Sequence, residues 1–270
     1  MKKNVIALIA GGGELPISFL KTAVAQKENI IVVAIENDAD KNIQDFGFKT
    51  VWFNIGKIGG IRNFLKQEKV KAVIMLGDVK HTRLFTELKF DFYGISILAG
   101  LKDKRAASLF GLIIKEIEKL GAKVLPSTYL MEETLAPKGA AGRNAPSKKE
   151  RKEAFFAITM ARALAKTDIG QTVVIKNGIV AAAEAQEGTD RCIERGATIA
   201  GKGFIVAKAS RVDMRFDVPV IGLKTIALIK KYNGRGIIYD AARTFIMDGE
   251  NTIKAADKAG IYLYGMEARK

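Results

Sequence analysis

Short apolar runs alternate with longer stretches of helical period through the first 125 residues, and this alternation restricts the fold more than any other feature of the chain. Strands of a parallel sheet are buried on both faces, so they read as continuous apolar runs rather than as alternating ones. Such runs occur at Val5 to Ala10, Ile30 to Ile35, Val51 to Phe53, Ala72 to Leu76 and Lys123 to Leu125. Helices are expected between them, over Leu15 to Gln26, Ile58 to Gln67 and Asp103 to Leu120. The last carries Leu109, Leu112, Ile113, Glu116 and Leu120 on one mainly apolar face. Repeated βα units of this kind build a doubly wound, Rossmann-like sheet.

The pattern breaks at Leu135 to Pro146, where small residues, glycines and two prolines make a poor helix or strand interior. The expected organisation is therefore an N-terminal Rossmann-like parallel-sheet domain over residues 1–134, a linker over 135–146 and a separate C-terminal α/β (or α+β) domain over 147–270. Ser147 followed by Glu150 is a capping-box pattern opening a helix through Lys166, with Phe155, Ile158, Ala161 and Ala165 as its buried stripe. Thr172 to Lys176 and Ile179 to Ala183 flank Asn177-Gly178, a pair that readily takes the two positive φ angles of a tight hairpin turn. Further strands are expected at Phe204 to Lys208, Val218 to Ile221 and Ile261 to Tyr264, and helices near Thr225 to Tyr232 and Thr252 to Lys258.

Composition excludes several classes. With 48% apolar and 27% charged residues the 270-residue chain has material for packed cores and is not disordered. A single cysteine, Cys192, and a single histidine, His81, exclude a disulfide framework within the chain, a Cys-built zinc site and a His cluster. The apolar run after Lys2-Lys3 ends at Gly11, too soon for a secretory signal, and no apolar stretch approaches a membrane span, so a cytoplasmic setting is expected. The excess of 44 Lys and Arg over 29 Asp and Glu, a net +15, concentrates anions near the surface. Those charges are dispersed and aromatics are only 8%, which argues against a dedicated, sequence-specific nucleic-acid groove.

The first strand runs into Gly11-Gly12-Gly13-Glu14-Leu15-Pro16 at the start of a helix, where free amides and the helix dipole suit a phosphate. Against a dinucleotide fingerprint, the third glycine position falls on Pro16, while Glu36 stands where a ribose-binding acid is needed. Gly196 to Gly203 nearly matches a P-loop, but Gly203 replaces the Ser or Thr, and the stretch reads as a loop with a solvated Lys202. Acidic residues gather at Glu184 to Asp190 and at Asp213 to Asp217; such oxygen ligands suit magnesium or manganese, and equally ordinary turns and ion pairs. His81, between Lys80, Thr82 and Arg83, reads as part of a solvated loop. Cys192 beside Arg191 and Arg195 is either a thiol of lowered pKa or an incidental buried residue.

Taken in order, Ile9 to Pro16, Asp168-Ile169-Gly170-Gln171, Glu184 to Asp190 and Asp213-Met214-Arg215-Phe216-Asp217-Val218-Pro219-Val220-Ile221-Gly222 resemble the signatures of the LpxI-type UDP-2,3-diacylglucosamine pyrophosphatases of lipid A biosynthesis. The resemblance implies a magnesium-dependent (or manganese-dependent) two-domain hydrolase in which water attacks the α-phosphorus of UDP-2,3-diacylglucosamine. The products are UMP and 2,3-diacylglucosamine 1-phosphate. It carries the family's essential aspartate onto Asp217, as catalytic residue and candidate metal ligand. Substrate-binding positions carried over are Gly11, Gly12, Gly13, Leu15, Gln171, Thr189 and Asp190, with the substrate lying between the domains. Val212 stands where the family has glutamine, Ala209-Ser210-Arg211 lacks the family's proline, and Gly77-Asp78-Val79 is only loosely like its Gly-Asn-Val segment. Lys208 and Arg215 flank the Asp217 segment and are candidates for neutralising phosphate charge or for a solvated surface. The lipid substrate implies transient contact with the inner face of the inner membrane, favoured by the basic surface, and leaves oligomerisation open. Two other classes are weighed against this one: a nicotinamide-dependent oxidoreductase resting on the glycine turn and Glu36, and a basic nucleic-acid-binding protein without enzymatic activity.

Overall fold

A computed structural model describes residues 4–79, 90–100 and 106–267. Lys80, His81, Thr82 and Arg83, and the first residues of the helix expected from Asp103, lie outside the described residues. Among the described residues the chain forms two compact units, the first running up to Met131 and including Arg215–Asp217, the second comprising Glu132–Met214 and the chain from Val218 on. None of the described helices is long and apolar enough to cross a membrane.

The first unit is built on a five-stranded sheet of order β3-β2-β1-β4-β5, with β1 Ile6–Ala10, β2 Ile30–Ile35, β3 Lys49–Phe53, β4 Ala72–Leu76 and β5 Lys123–Val124. Every pairing is parallel, and β1 lies between β2 and β4 with Ile6 level with Ile30 and Ala72. The apolar runs are continuous because these central strands are covered on both faces: β2 is buried throughout. Helix α1, Leu15–Ala25, places Pro16 in its first turn, where a missing N–H costs nothing. It buries Phe19, Leu20 and Ala23 completely, the two larger side chains contributing about 1.5–3 kcal/mol each. Helix α2, Ile58–Gln67, follows β3, and α3, Phe92–Leu98, and α4, Ala106–Glu118, precede β5. The Asp91 carboxylate caps two of them, Oδ2 accepting the Gly59 and Gly60 N–H groups at 2.9 and 3.2 Å and Oδ1 the Gly94 N–H at 2.8 Å.

The second unit is a six-stranded mixed sheet of order β6-β13-β11-β9-β7-β8, formed by β6 Gly139–Ala140, β7 Thr172–Lys176, β8 Ile179–Ala183, β9 Ile205–Lys208, β11 Gly236–Asp240 and β13 Tyr262–Met266. A short parallel pair, β10 Val220–Ile221 and β12 Phe245–Ile246, lies beside it in sequence. Residues 135–146, read from composition as a linker, lie in this unit, and Gly139-Ala140 pair there with Gly265 and Tyr264 as its edge strand. The capping box at Ser147 and Glu150 forms as expected, opening α5, Lys148–Lys166. Its buried face is Ala154, Ala157, Ile158, Ala161 and Ala165, packed on Val173, Ile175, Ile205 and Ile238. Phe155 is not part of that stripe: it is 49% exposed, since one residue's turn of about 100° carries it off the face on which Ala154 and Ile158 lie.

The opposite face of the sheet is covered by α6 Thr189–Ala200, α7 Leu223–Lys231 and α8 Gly249–Lys258, which bury Cys192, Ile193, Ala197, Ile226, Ile229 and Ala256 against Val174, Val206 and Ile237. Helix α6 corrects the reading of Gly196 to Gly203 as a loop. Gly196 lies inside the helix, where a Cβ would come within 2.5 Å of the Val174 side chain, so the glycine permits close helix–sheet packing and cradles no phosphate. The Asn177-Gly178 turn has the expected positive φ angles, 51° and 76°.

Candidate active site

In the first unit the strand order reverses at β1, the crevice where ligands bind to open parallel sheets. Here the turns after β1 and β4 are tied together: Gly11 N–H donates to the Leu76 carbonyl at 2.8 Å, Gly12 N–H to the Asp78 carbonyl at 2.8 Å, and Asp78 N–H back to Gly12 at 2.9 Å. A Cβ on Gly11 would sit 2.6 Å from the Asp78 oxygen, and one on Gly12 2.9 Å from that of Asp38. The amides of Gly11 and Gly12 are therefore committed to main chain, and these glycines serve the approach of three turns to one another. Gly13, exposed and at φ 86°, lies just ahead of α1. The start of that helix takes no side-chain cap from Glu14, so the amide dipoles of its first turn stay directed outward. Leu15 is buried at that end. Glu36, exposed at the end of β2, opens with Lys41 and Trp52 onto a shallow depression.

The second unit gathers its carried-over positions at one end of the six-stranded sheet, around Glu184. One oxygen of that carboxylate accepts the Gln171 N–H and the other the Thr189 hydroxyl, each at 3.1 Å, and the hydroxyls of Thr189 and Thr172 meet at 3.3 Å. Gly170 passes so close to the Glu184 carbonyl that no Cβ fits. Thr189 and Asp190 open α6, an N-terminal turn where an acid is favoured by the helix dipole. Asp190 pairs with Lys224 at 2.5 Å. Glu184 was legible only as part of its motif; its role as the acceptor joining Gln171 to Thr189 comes from the geometry. Lys208, by contrast, is no solvated surface residue: it is 6% exposed, and its ammonium donates to the Val220 carbonyl at 2.8 Å.

Between β9 and β10 runs the motif segment. Arg211 and Asp168 form a buried ion pair, and Arg243 donates to the carbonyls of Arg211 and Val212 at 3.4 and 3.5 Å. Arg215, Phe216 and Asp217 belong to the first unit. Arg215 reaches Glu118 at 3.4 Å, and Phe216, 4% exposed, enters the core formed with Val73, Ile114 and Ile117. Asp217 is exposed between the buried Phe216 and Val218 and sits at φ 53°, in the left-handed region. Asp and Asn tolerate that conformation better than other non-glycine residues, and Asp168 and Asp248 adopt it here as well.

Cys192 resolves to the incidental alternative. Burial in the sheet's core, reinforced by the nearby Glu184 charge, pushes its thiol up to about 12, the opposite of an activated nucleophile. Among the described residues no three His, Cys, Asp or Glu side chains converge as a ligand set.

Comparison with known proteins assigns these features to one lineage. Residues 5–134 match the model of the LpxI N-terminal domain, and residues 137–264 that of the LpxI C-terminal domain. Over 278 aligned residues the chain is 30% identical to the UDP-2,3-diacylglucosamine pyrophosphatase LpxI of Caulobacter vibrioides, with 98% of each covered. Among solved structures, a UDP-glucose-4-epimerase from Stenotrophomonas maltophila is 14% identical at a TM-score of 0.28, over 45% of this chain and 35% of that one. A leucoanthocyanidin reductase of Vitis vinifera with NADPH is 14% identical at 0.29, over 56% of this chain and 44% of that one. The chain thus spans less than half of either enzyme, and at these scores neither bears on its function. Two matched domain models and a relative aligned over nearly its whole length establish that the chain belongs to the LpxI family.

Proposed function

We propose that this chain hydrolyses the diphosphate of UDP-2,3-diacylglucosamine, with water attacking the α-phosphorus. The new bond joins the water oxygen to that phosphorus and the bond to the bridging oxygen breaks. UMP forms, and 2,3-diacylglucosamine 1-phosphate leaves with the bridging oxygen. The observation that carries this reading is Asp217, an exposed carboxylate between two buried neighbours in the segment that carries the family resemblance. In this reading its carboxylate orients the attacking water and takes its proton, a contribution of about 10²–10⁴ in rate. Gly13 and Leu15 present main-chain amides at the start of α1 to phosphate oxygens, Gly11 and Gly12 shape that turn, and Gln171, Thr189 and Asp190 contribute polar contacts to the substrate. A magnesium or manganese ion riding on the diphosphate, with Asp217 as a candidate ligand, would offset the negative charge that repels a nucleophile. The apolar tails and the net +15 further support transient binding to anionic bilayers.

The deciding assay incubates the purified protein with UDP-2,3-diacylglucosamine and Mg²⁺, Mn²⁺ or EDTA and follows UMP release, in the parent and in Asp217→Ala. Turnover is expected with either cation in the parent and is reduced at least about 100-fold in the variant. Equal rates would remove Asp217 from the mechanism, and no UMP under either metal would overturn the assignment. Thermal stabilisation by UMP, and none by NAD, is the matching binding result.

A further inference from the structure

Behind the motif segment lies a carboxylate that no feature of the sequence marked. Asp240 ends β11, is 2% exposed, and has both oxygens engaged. Oδ1 accepts a fork from Arg162, Nε at 2.8 Å and Nη2 at 2.6 Å, and Oδ2 accepts the main-chain N–H of Ser210 at 3.0 Å. Arg162 stands on α5 and also donates to the Glu267 carbonyl at 2.6 Å. Strands β9 and β11 are parallel neighbours with Lys208 level with Tyr239, so the chain leaving β9 begins its loop directly beside the end of β11.

A buried charge is tolerated only when paired, and a two-pronged guanidinium fixes the direction of a carboxylate as well as its charge. With Oδ1 held by that fork, Oδ2 has one orientation left, toward Ser210. Ala209 N–H is fixed in turn by the Gln171 carbonyl at 2.9 Å, and Arg211 by its ion pair with Asp168. Three consecutive residues at the start of the loop are thus held within the second unit, Ala209 and Arg211 by the segment between α5 and β7 and Ser210 by the end of β11. Neutral turns can close the end of a strand; here two largely buried ion pairs, Arg162–Asp240 and Arg211–Asp168, hold the start of one loop instead.

We propose that Asp240 is a positioning residue for the hydrolytic reaction: through the Ser210 N–H it fixes the start of the loop whose chain runs on to Asp217. The inference rests on the reading of Asp217 given above. Asp240→Asn keeps the shape and removes the charge that orients the Arg162 fork. UMP release by this variant is expected to fall about 10- to 100-fold in kcat, the cost of a displacement near 1 Å, with KM changed less than about threefold. Arg162→Lys, which keeps the charge but loses the fork, is expected to show the same split to a smaller degree and serves if the first variant folds poorly. Asp257→Asn is the control. Its carboxylate accepts the Arg143 N–H at 2.8 Å and the Asn144 N–H at 3.3 Å in the same unit, so it should lower Tm while leaving kcat within about twofold. Amide hydrogen exchange supplies a readout independent of turnover: residues 210–214 should exchange at least about tenfold faster in Asp240→Asn while β7 and β9 stay protected. Parent-like kcat, unchanged exchange, or exchange accelerated throughout the sheet would each overturn the proposal. Absence of UMP release by the parent would instead overturn the functional reading, and the exchange result would still decide whether Asp240 holds the loop.

Discussion

Gly12 and Asp78 exchange main-chain hydrogen bonds, 2.8 Å in one direction and 2.9 Å in the other, so that the turns after β1 and β4 close into a short antiparallel bridge. The bridge depends on Gly77, which sits at φ 90° with no room for a Cβ against the Gly12 carbonyl. Gly77→Ala is expected to destabilise the protein by about 2–4 kcal/mol, the left-handed penalty plus overpacking. Gly47→Ala is the comparison, since Gly47 has φ 75° with nothing within 4 Å, and should cost only about 1–2 kcal/mol. Urea unfolding of both variants measures the difference, and equal costs would mean that crowding at the bridge is unimportant.

Phe216 lies stacked on Phe110 with ring centroids 4.6 Å apart and planes 12° from parallel. Removing that ring leaves a cavity in the first unit's core, and Phe216→Ala is expected to cost about 3–5 kcal/mol. Because Asp217 follows directly, UMP release should fall as well, even at temperatures where the variant is fully folded. Val212→Ala, at a side chain 87% exposed, should stay within about 0.5 kcal/mol of the parent. Denaturant titration paired with the UMP assay tests both, and an active, parent-like Phe216→Ala would show that the stack does not support Asp217.

The first unit was the more legible because its strands are buried on both faces and written as uninterrupted apolar runs. Ile30–Ile35, Ala72–Leu76 and Ile58–Gln67 coincide to the residue with elements of the fold. In the second unit the hairpin around Asn177-Gly178 was equally plain, since the turn chemistry announces itself locally. Strand β11 carries no plain signal in the sequence although all of it is buried: Gly236-Ile237-Ile238-Tyr239-Asp240 is short and has a glycine start and an acidic end. Helix α6 is masked in the sequence because Gly188, Gly196 and Gly201 punctuate it like a loop, and only packing on Val174 explains the middle one. Of the site, the motif positions could be read from residue order. The acceptor role of Glu184 and the anchoring by Asp240 arise from strands distant in sequence meeting at one sheet end, which spacing cannot convey.

Glu184 offers a separable prediction, since it organises Gln171 and Thr189 without itself being the proposed base. Glu184→Ala should raise the KM for UDP-2,3-diacylglucosamine about tenfold, roughly the 1.4 kcal/mol worth of a lost hydrogen bond to a charged acceptor, with kcat reduced less. Thr189→Val should reproduce part of the effect. Steady-state kinetics distinguish this from a catalytic role, in which kcat would fall and KM would stay constant.

The buried thiol makes a prediction about pH. In the unfolded chain Cys192 ionises near 8.5, whereas in the folded protein burial holds its proton up to about 12. Between these values the unfolded chain binds fewer protons, so this contribution to stability is fully present below about pH 8.5 and is lost progressively as pH rises toward about 12. Tyr239 and Tyr262 are raised by burial too, but their ordinary range begins near pH 10, so measurements from pH 7.5 to 9.5 precede their titration and comparison with Cys192→Ala isolates the cysteine. The urea midpoint of the parent should decline over that interval more steeply than that of Cys192→Ala, and a thiol reagent should label the parent only after unfolding. Parallel declines in the two proteins, or rapid labelling of the native one, would place Cys192 in contact with solvent and contradict its position between the sheet and α6.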